Sequence, residues 1–225
     1  LPTPHTVRNG SDIENNMADS ADIDQLQAEI TRLKQENEKL RASNRRWMRI
    51  AGTDDLTGLP NKVFFSTALL PQVITQHNAE GRSFAGIMVA PDNLGDINKK
   101  YGREGGDRIV VGLAEYLKEN SEPGEKLIHI DGANFVIIVA NADAASVKRR
   151  TRQIRARVVA RHFQCGGDAV SLTLSMGVTI QAPEPAGTET KVKEVAEDLL
   201  KRMGIALDEA KKQGGDTVVE DFEEE

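Results

Sequence analysis

The stretch from Leu127 to Ala140 constrains the fold more than any other part of the chain. Leu127 to Ile130 and Phe135 to Ala140 are short apolar runs rich in β-branched residues, and Asp131-Gly132 between them is a tight-turn former. Turn chemistry and spacing together predict a β-hairpin. Elsewhere strand-like and helix-like patterns alternate, an order that alone favours βαβ units and a parallel sheet. A hairpin set into that order makes the sheet mixed and largely antiparallel. The expected architecture is an α/β sandwich with helices on both faces.

The remaining patterns fill this frame. Phe84 to Ala90 is an apolar run of strand length, and Gly106-Asp107 opens an amphipathic helix through Leu117. A helix over 143–163 places Val147, Ile154 and Val158 on one face, a strand covers 169–180, and a last helix ends in Ala206-Leu207-Asp208-Glu209-Ala210-Lys211. Upstream, Gly58 and Pro60 break one helix, and Asn61 can cap the free amides of the next.

A different period governs residues 22–51. Ile23, Leu26, Ile30, Leu33, Leu40 and Trp47 recur at steps of three and four, interrupted by Asn37 and Asn44, with Ala51 completing the phase. Placing Ile23, Ile30, Asn37, Asn44 and Ala51 at a leaves Leu26, Leu33, Leu40 and Trp47 at d, a pattern that favours two parallel helices. Asparagine at a pairs across such a dimer and penalises other registers. Glu29 and Glu36 fall at g, opposite Lys34 and Arg41 at e of a partner helix. A homodimer through a parallel coiled coil is expected.

Composition bounds the function. A formal net charge of −6 over 225 residues argues against a nucleic-acid binder, which would carry an excess of Lys and Arg. No run approaches the roughly 18 apolar residues that cross a bilayer, so a cytoplasmic protein without a membrane partner is expected. Cys165 is the only cysteine, which excludes an intramolecular disulfide and a Cys-based zinc site. The expected organisation is a disordered tail over 1–21, a dimerisation helix over 22–51, a globular domain over 52–221 and an acidic tail over 222–225.

Several motifs converge on one family. Asp54-Asp55-Leu56-Thr57-Gly58-Leu59-Pro60-Asn61-Lys62 resembles the D-x-L-T-G-L-x-N-R motif that opens GGDEF (diguanylate cyclase) domains, with Lys62 for the usual Arg. The stretch after the first strand, through Asp92, Asn98, Gly102 and Gly106-Asp107, looks like D-x-D-x-F-K-x-x-N-D-x-x-G-H-x-x-G-D. Ser175-Met176-Gly177-Val178 is similar to S-x-G-[VI], and Ala206 to Lys211 to A-L-Y-x-A-K. The resemblance covers about residues 50–220 and implies that family's palm-like nucleotidyl-cyclase sandwich.

What the resemblance implies for chemistry is mostly loss. Such enzymes join two GTP molecules into cyclic di-GMP, each half-site coming from one subunit of a dimer. Divalent metal on the triphosphate offsets charge as a 3′-hydroxyl attacks the α-phosphate. Carried over by position, the metal-binding Asp at the end of the first strand is Ala90, and the signature itself is Asp131-Gly132-Ala133-Asn134-Phe135. Its acidic third residue is therefore Ala133, and its Glu is Asn134, which cannot act as a base near neutral pH. Asp131 adds a negative side chain where the loop passes phosphate, and the family's geometry aims neither Asp92 nor Asp131 at the metal. Gly95 and Gly215 stand where a phosphate-contacting Lys and Arg are implied, leaving Lys211 as the basic candidate. Glu122-Pro123-Gly124-Glu125 occupies the place of the inhibitory R-x-x-D, whose inverted charge removes that cyclic di-GMP site.

The guanine end differs. Asn98 and Asp107 match the residues that hydrogen-bond the base in the family. Each also has a local reading, Asn98 holding the turn before Tyr101-Gly102 and Asp107 favouring the first turn of its helix; from sequence alone the local reading takes precedence. Lys148, Arg149, Arg150, Arg152, Arg155, Arg157 and Arg161 read as a solvated helix face, with an anionic dinucleotide or acidic partner as the alternative. The expected function is a catalytically inactive, dimeric GGDEF-like regulatory module, without metal or cofactor, acting through a protein partner. Weak GTP binding would fall to Asn98, Asp107 and Lys211. A weak or non-standard diguanylate cyclase, and a GTP or cyclic di-GMP receptor without turnover, are the alternatives.

Overall fold

A computed structural model describes residues 25–41, 43–44, 51–184 and 191–222. The chain divides into two units, Leu1–Arg49 and Ile50–Glu225. In the first, residues 25–41 are helical, and Leu26, Ile30, Leu33 and Leu40 are each at least half exposed. Glu29, expected to reach a partner helix, is gripped by Arg32 of its own helix through two 2.8 Å hydrogen bonds. The expected tail over 1–21, the heptad residues Ile23 and Trp47, and residues 223–225 lie outside the described residues.

The second unit opens with the turn over 51–61. Asn61 caps helix α1 as expected: its Oδ1 accepts from the Phe64 amide at 3.0 Å, while its Nδ2 donates to the Ala51 carbonyl at 2.8 Å. The α1 helix comprises Lys62–Phe64, a π-wound stretch Phe65–Leu69 and Leu70–Glu80. The wide turn falls just ahead of Pro71, which has no amide to return to it.

The strands are β1 (Phe84–Pro91), β2 (Lys126–Asp131), β3 (Asn134–Ala140), β4 (His162–Cys165), β5 (Asp168–Ser171), β6 (Leu174–Gln181) and β7 (Val218–Asp221). Five of them form one sheet in the order β2-β3-β1-β6-β7, antiparallel throughout except for the parallel pair β6 and β7. Its mixed, largely antiparallel character follows from the β2–β3 hairpin, as expected. The central strand β1 is buried along its whole length. Ala85, Ile87 and Val89 pack with α2 (Leu94–Glu119) and α3 (Ala144–Val159), whereas Phe84, Met88 and Ala90 pack with α1 and α4 (Val192–Lys212). Gly177 lets α4 lie directly on β6, since a Cβ there would sit 2.2 Å from the Met203 carbonyl oxygen.

Three expectations are corrected. The helix expected over 143–163 ends at Val159, and the chain turns at once into a two-stranded sheet, β4 with β5. The strand expected over 169–180 is consequently two strands, β5 and β6. The missed signal was Gly166-Gly167 between the alternating Phe163 and Cys165 and the residues after Asp168; both glycines take positive φ, 59° and 91°, as a two-residue hairpin turn requires. The helix expected to open at Gly106 begins at Leu94 and kinks at Gly102.

Candidate functional site

The end of β1, the tip of the β2–β3 hairpin and the start of α2 form one corner, because β1 pairs with β3 up to Val89 opposite Phe135. Methyl groups stand there where the resemblance implies carboxylates. Ala90 is buried on the α1 and α4 side, and Ala133 packs at the edge of the core on the other face. The carboxylates nearby serve their own surroundings. Asp92 accepts from Thr173 Oγ1 at 2.7 Å, from Ser175 Oγ, and from the Asp216 amide at 2.9 Å, tying β1 to β6 and to the turn after α4. In that turn Gly215 has φ 76°, and a Cβ added to it would lie 2.8 Å from Asp92 Cγ, so on this backbone a side chain there collides with the Asp92 carboxylate. Asp131 accepts from Asn134 Nδ2 at 2.6 Å across the hairpin end.

A divalent magnesium-like cation needs several oxygen ligands aimed at one centre. Two methyl groups, with two engaged carboxylates turned to different strands, do not fit one. Among the described residues no group of three or more His, Cys, Asp or Glu side chains is placed to hold a metal.

The second corner is the kink of α2. At Gly102 the backbone reaches φ 72° and ψ 179°, a conformation open essentially to glycine alone. The bend folds the Asn98 amide over the next limb: a Cβ added at Gly106 would sit 1.9 Å from Asn98 Oδ1. Asn98 thereby stands beside Asp107. The β4–β5 hairpin buttresses the kink, with Tyr101 Oη donating to Asp168 Oδ2 at 2.6 Å, Lys100 Nζ donating to the same oxygen at 3.1 Å, and Cys165 Sγ 3.5 Å from the Gly105 carbonyl oxygen. The Tyr101 hydroxyl, followed by Lys100, holds the Asp168 carboxyl below the usual carboxylate range.

Asn98 is exposed and Asp107 half-buried, and neither side chain has a hydrogen-bond or ion-pair partner among the described residues. The local roles open to them in the sequence are filled by others: Gly102 makes the bend and the β4–β5 hairpin braces it. Their donors and acceptors stay open. Lys211 is exposed in the last turn of α4, without an ion-pair partner among the described residues, just before the turn that Asp92 holds. The structure therefore groups Asn98 with Asp107 and places Lys211 on a different element.

The Glu122 to Glu125 turn is engaged from within. The Glu125 side chain is buried, and its carboxylate accepts from Arg150 Nε at 2.6 Å and from a terminal Arg150 nitrogen at 2.8 Å, while Arg150 also donates to the Asn120 carbonyl at 2.9 Å. This corrects the reading of Arg150 as part of a solvated face, since it is only 5% exposed. On the same helix Lys148 pairs with Glu220 at 2.8 Å and Arg155 with Asp216 at 3.1 Å; just past its end, the Arg161 guanidinium lies 4.7 Å from the Tyr116 ring centre. Lys148 and Arg155 thus hold β7 and the turn before it, while Arg149, Arg152 and Arg157 stay exposed.

Comparison with known proteins places the chain in a lineage. The sequence profile described as "Diguanylate cyclase, GGDEF domain" matches residues 51–217. Diguanylate cyclase DgcP of Pseudomonas aeruginosa is 27% identical over 164 residues, which cover 73% of this chain and 23% of that protein. The chain spans less than half the length of the curated relatives it matches. Two solved structures share the fold. One is the coiled coil and GGDEF domain of DgcB from Caulobacter crescentus in complex with c-di-GMP, at TM-score 0.68 and 22% identity, covering 87% of this chain and 99% of that one. The other is diguanylate cyclase SiaD in complex with its activator SiaC from Pseudomonas aeruginosa, at TM-score 0.66 and 22% identity, covering 95% and 81%. With the profile spanning most of its length, this chain belongs to the GGDEF-domain family of diguanylate cyclases.

Proposed function

We propose that this chain is a catalytically silent GGDEF signalling module, paired through its amino-terminal heptads, that acts on a partner protein and retains a weak guanine-nucleotide site. One observation carries the reading: Ala90, Ala133 and Asn134 stand where the family's chemistry needs carboxylates. Attack of a hydroxyl on a phosphate builds charge that cations held by carboxylates must offset, and two methyl groups and a neutral amide hold none. The engagement of Asp92 by Thr173, Ser175 and Asp216 supports it, because the nearest surviving carboxylate is not free to substitute.

The exposed Leu26, Ile30, Leu33 and Leu40 support pairing through the helix, since an apolar a/d stripe is stable in water when a second helix covers it. DgcB was solved with a coiled coil and SiaD with an activator protein; by analogy we assign this chain a dimeric helix and a protein partner. Incubation with GTP and Mg²⁺ or Mn²⁺, followed by chromatography for cyclic di-GMP, should yield no product. Clear turnover would replace this reading with that of a weak cyclase. Sedimentation should give a dimer that deletion of residues 17–47 converts to a monomer.

A receptor without turnover is the second reading, favoured by the open side chains of Asn98 and Asp107. An amide beside a carboxylate complements the acceptor and paired donors on the guanine edge. Calorimetric titration with GTP and with cyclic di-GMP distinguishes it, and binding lost in both Asn98→Ala and Asp107→Ala would place the ligand at the kink.

A further inference from the structure

His129, in β2, is buried, and both of its ring nitrogens face oxygen. Nδ1 lies 2.9 Å from Asp54 Oδ1, and Nε2 lies 3.1 Å from the Gly132 carbonyl oxygen. The ring packs on Phe135 at 5.0 Å, and the His129 amide donates to the Pro60 carbonyl at 2.9 Å. One residue thus ties the turn over 54–61 to the tip of the β2–β3 hairpin.

The two contacts make different demands on the ring. A carbonyl and an ionised carboxylate only accept hydrogen bonds, and a neutral imidazole donates from one nitrogen only. A neutral ring therefore leaves a lone pair against an oxygen at one end, whereas an imidazolium satisfies both. Asp54 is ionised opposite it: burial pushes its carboxyl up, but hydrogen bonds from the Thr57 hydroxyl and amide, and then from His129, more than offset this and hold it below the usual range. Among the described residues Asp54 is the one charged side chain within ion-pair reach of the ring. On the same turn Asp55 is exposed, Lys62 follows it and is exposed as well, and neither touches the ring; at the hairpin tip Asp131 is held by Asn134; β3 presents the uncharged Phe135.

We propose that His129 is a proton-operated clasp. Charged, it locks the hairpin tip to the turn that follows the amino-terminal helix in sequence; on losing a proton it keeps the Nδ1–H bond to the Asp54 carboxylate and gives up the weaker acceptor, Gly132. Gain or loss of that one proton therefore sets whether the two segments move together. The clasp stands whether or not the chain binds nucleotide.

Hydrogen exchange of amides 130–134 in the full chain, expressed as protection so that intrinsic pH effects cancel, tests it. Between about pH 5.5 and about pH 8.5, protection of the tip should fall roughly ten- to a hundredfold, the loss of one charge-assisted hydrogen bond. In His129→Arg, whose guanidinium stays charged and carries several donors, protection should be the same at both ends of the range. A wild-type tip indifferent to pH, or an unchanged pH dependence in the Arg variant, overturns the proposal. Ring ¹⁵N spectra of the wild type give an answer that needs no variant: two protonated nitrogens on His129 at about pH 6 support the clasp, and a single neutral tautomer there sinks it.

Discussion

The corner at the end of β1 and the kink of α2 both occupy positions where the resemblance implies site residues, and they differ in opposite ways. At the corner both carboxylates that remain are engaged by the protein itself: Asp92 by Thr173, Ser175 and Asp216, and Asp131 by Asn134. At the kink Asn98 and Asp107 have no protein partner among the described residues, although a buttress of Tyr101, Asp168 and Cys165 holds the backbone beneath them. A side chain converted to structural use should cost stability when removed. One kept for a ligand should cost binding and leave the fold alone.

The largest effect is expected on the converted side. Arg150→Met leaves the Glu125 carboxylate buried without its cation and should lower unfolding free energy by about 3–5 kcal/mol in a denaturant titration. The double variant Arg150→Met with Glu125→Leu should recover most of it, because two apolar groups leave no stranded charge. Asp92→Ala comes next. It removes the acceptor for two hydroxyls and one amide, and a loss of about 2–3 kcal/mol follows if these count as bonds to a charged group. An Asp92→Ala protein as stable as wild type would erase the distinction between the two corners.

At the kink the expected order reverses. Asn98→Ala and Asp107→Ala should change stability by no more than about 0.5 kcal/mol, while any heat of guanine-nucleotide binding disappears. Gly106→Ala is a sharper probe. The added Cβ lands on Asn98 Oδ1, the movable end of a side chain, so the amide swings aside while the helix gains roughly 0.5–1 kcal/mol from losing a glycine. Stability held or raised, with nucleotide binding weakened about tenfold or more, is the expected pair of results. Binding unaffected by Gly106→Ala would remove Asn98 from the site.

How much of this the sequence disclosed follows from what kind of signal each feature leaves. The β2–β3 hairpin and the Asn61 cap rest on local chemistry within a few residues, and both were legible. The β4–β5 hairpin was not, because residues 160–165 after the end of α3 at Val159 carry no glycine or proline, and Gly166-Gly167 was the only local mark of the turn. β7 pairs in parallel with a strand more than 35 residues upstream, Met176 opposite Val218, and has no periodicity of its own in four residues. The lost carboxylates could be read by position. Their replacements' work could not, since Asp92 meets Thr173 and Asp216 across 81 and 124 residues of chain, and Arg150 looked solvated until the fold brought Glu125 to it.

The smallest expected effect tests the buttress on which the kink depends. The Asp168 carboxyl is held below its usual range by the Tyr101 hydroxyl first and Lys100 second. A depressed carboxyl contributes its full stabilisation above its unfolded value, near 3.9, and loses it as pH falls through the lower folded value. The hairpin over 162–171 should therefore stay docked on α2 through neutrality and loosen only in acid, below about pH 4. Tyr101→Phe removes the first cause, so the Asp168 titration followed by NMR should move up toward the ordinary carboxylate range, and the amides around Gly105 should follow it. If Asp168 titrates identically in both proteins, the hairpin is not what braces the kink, and the open geometry of Asn98 and Asp107 must come from Gly102 alone.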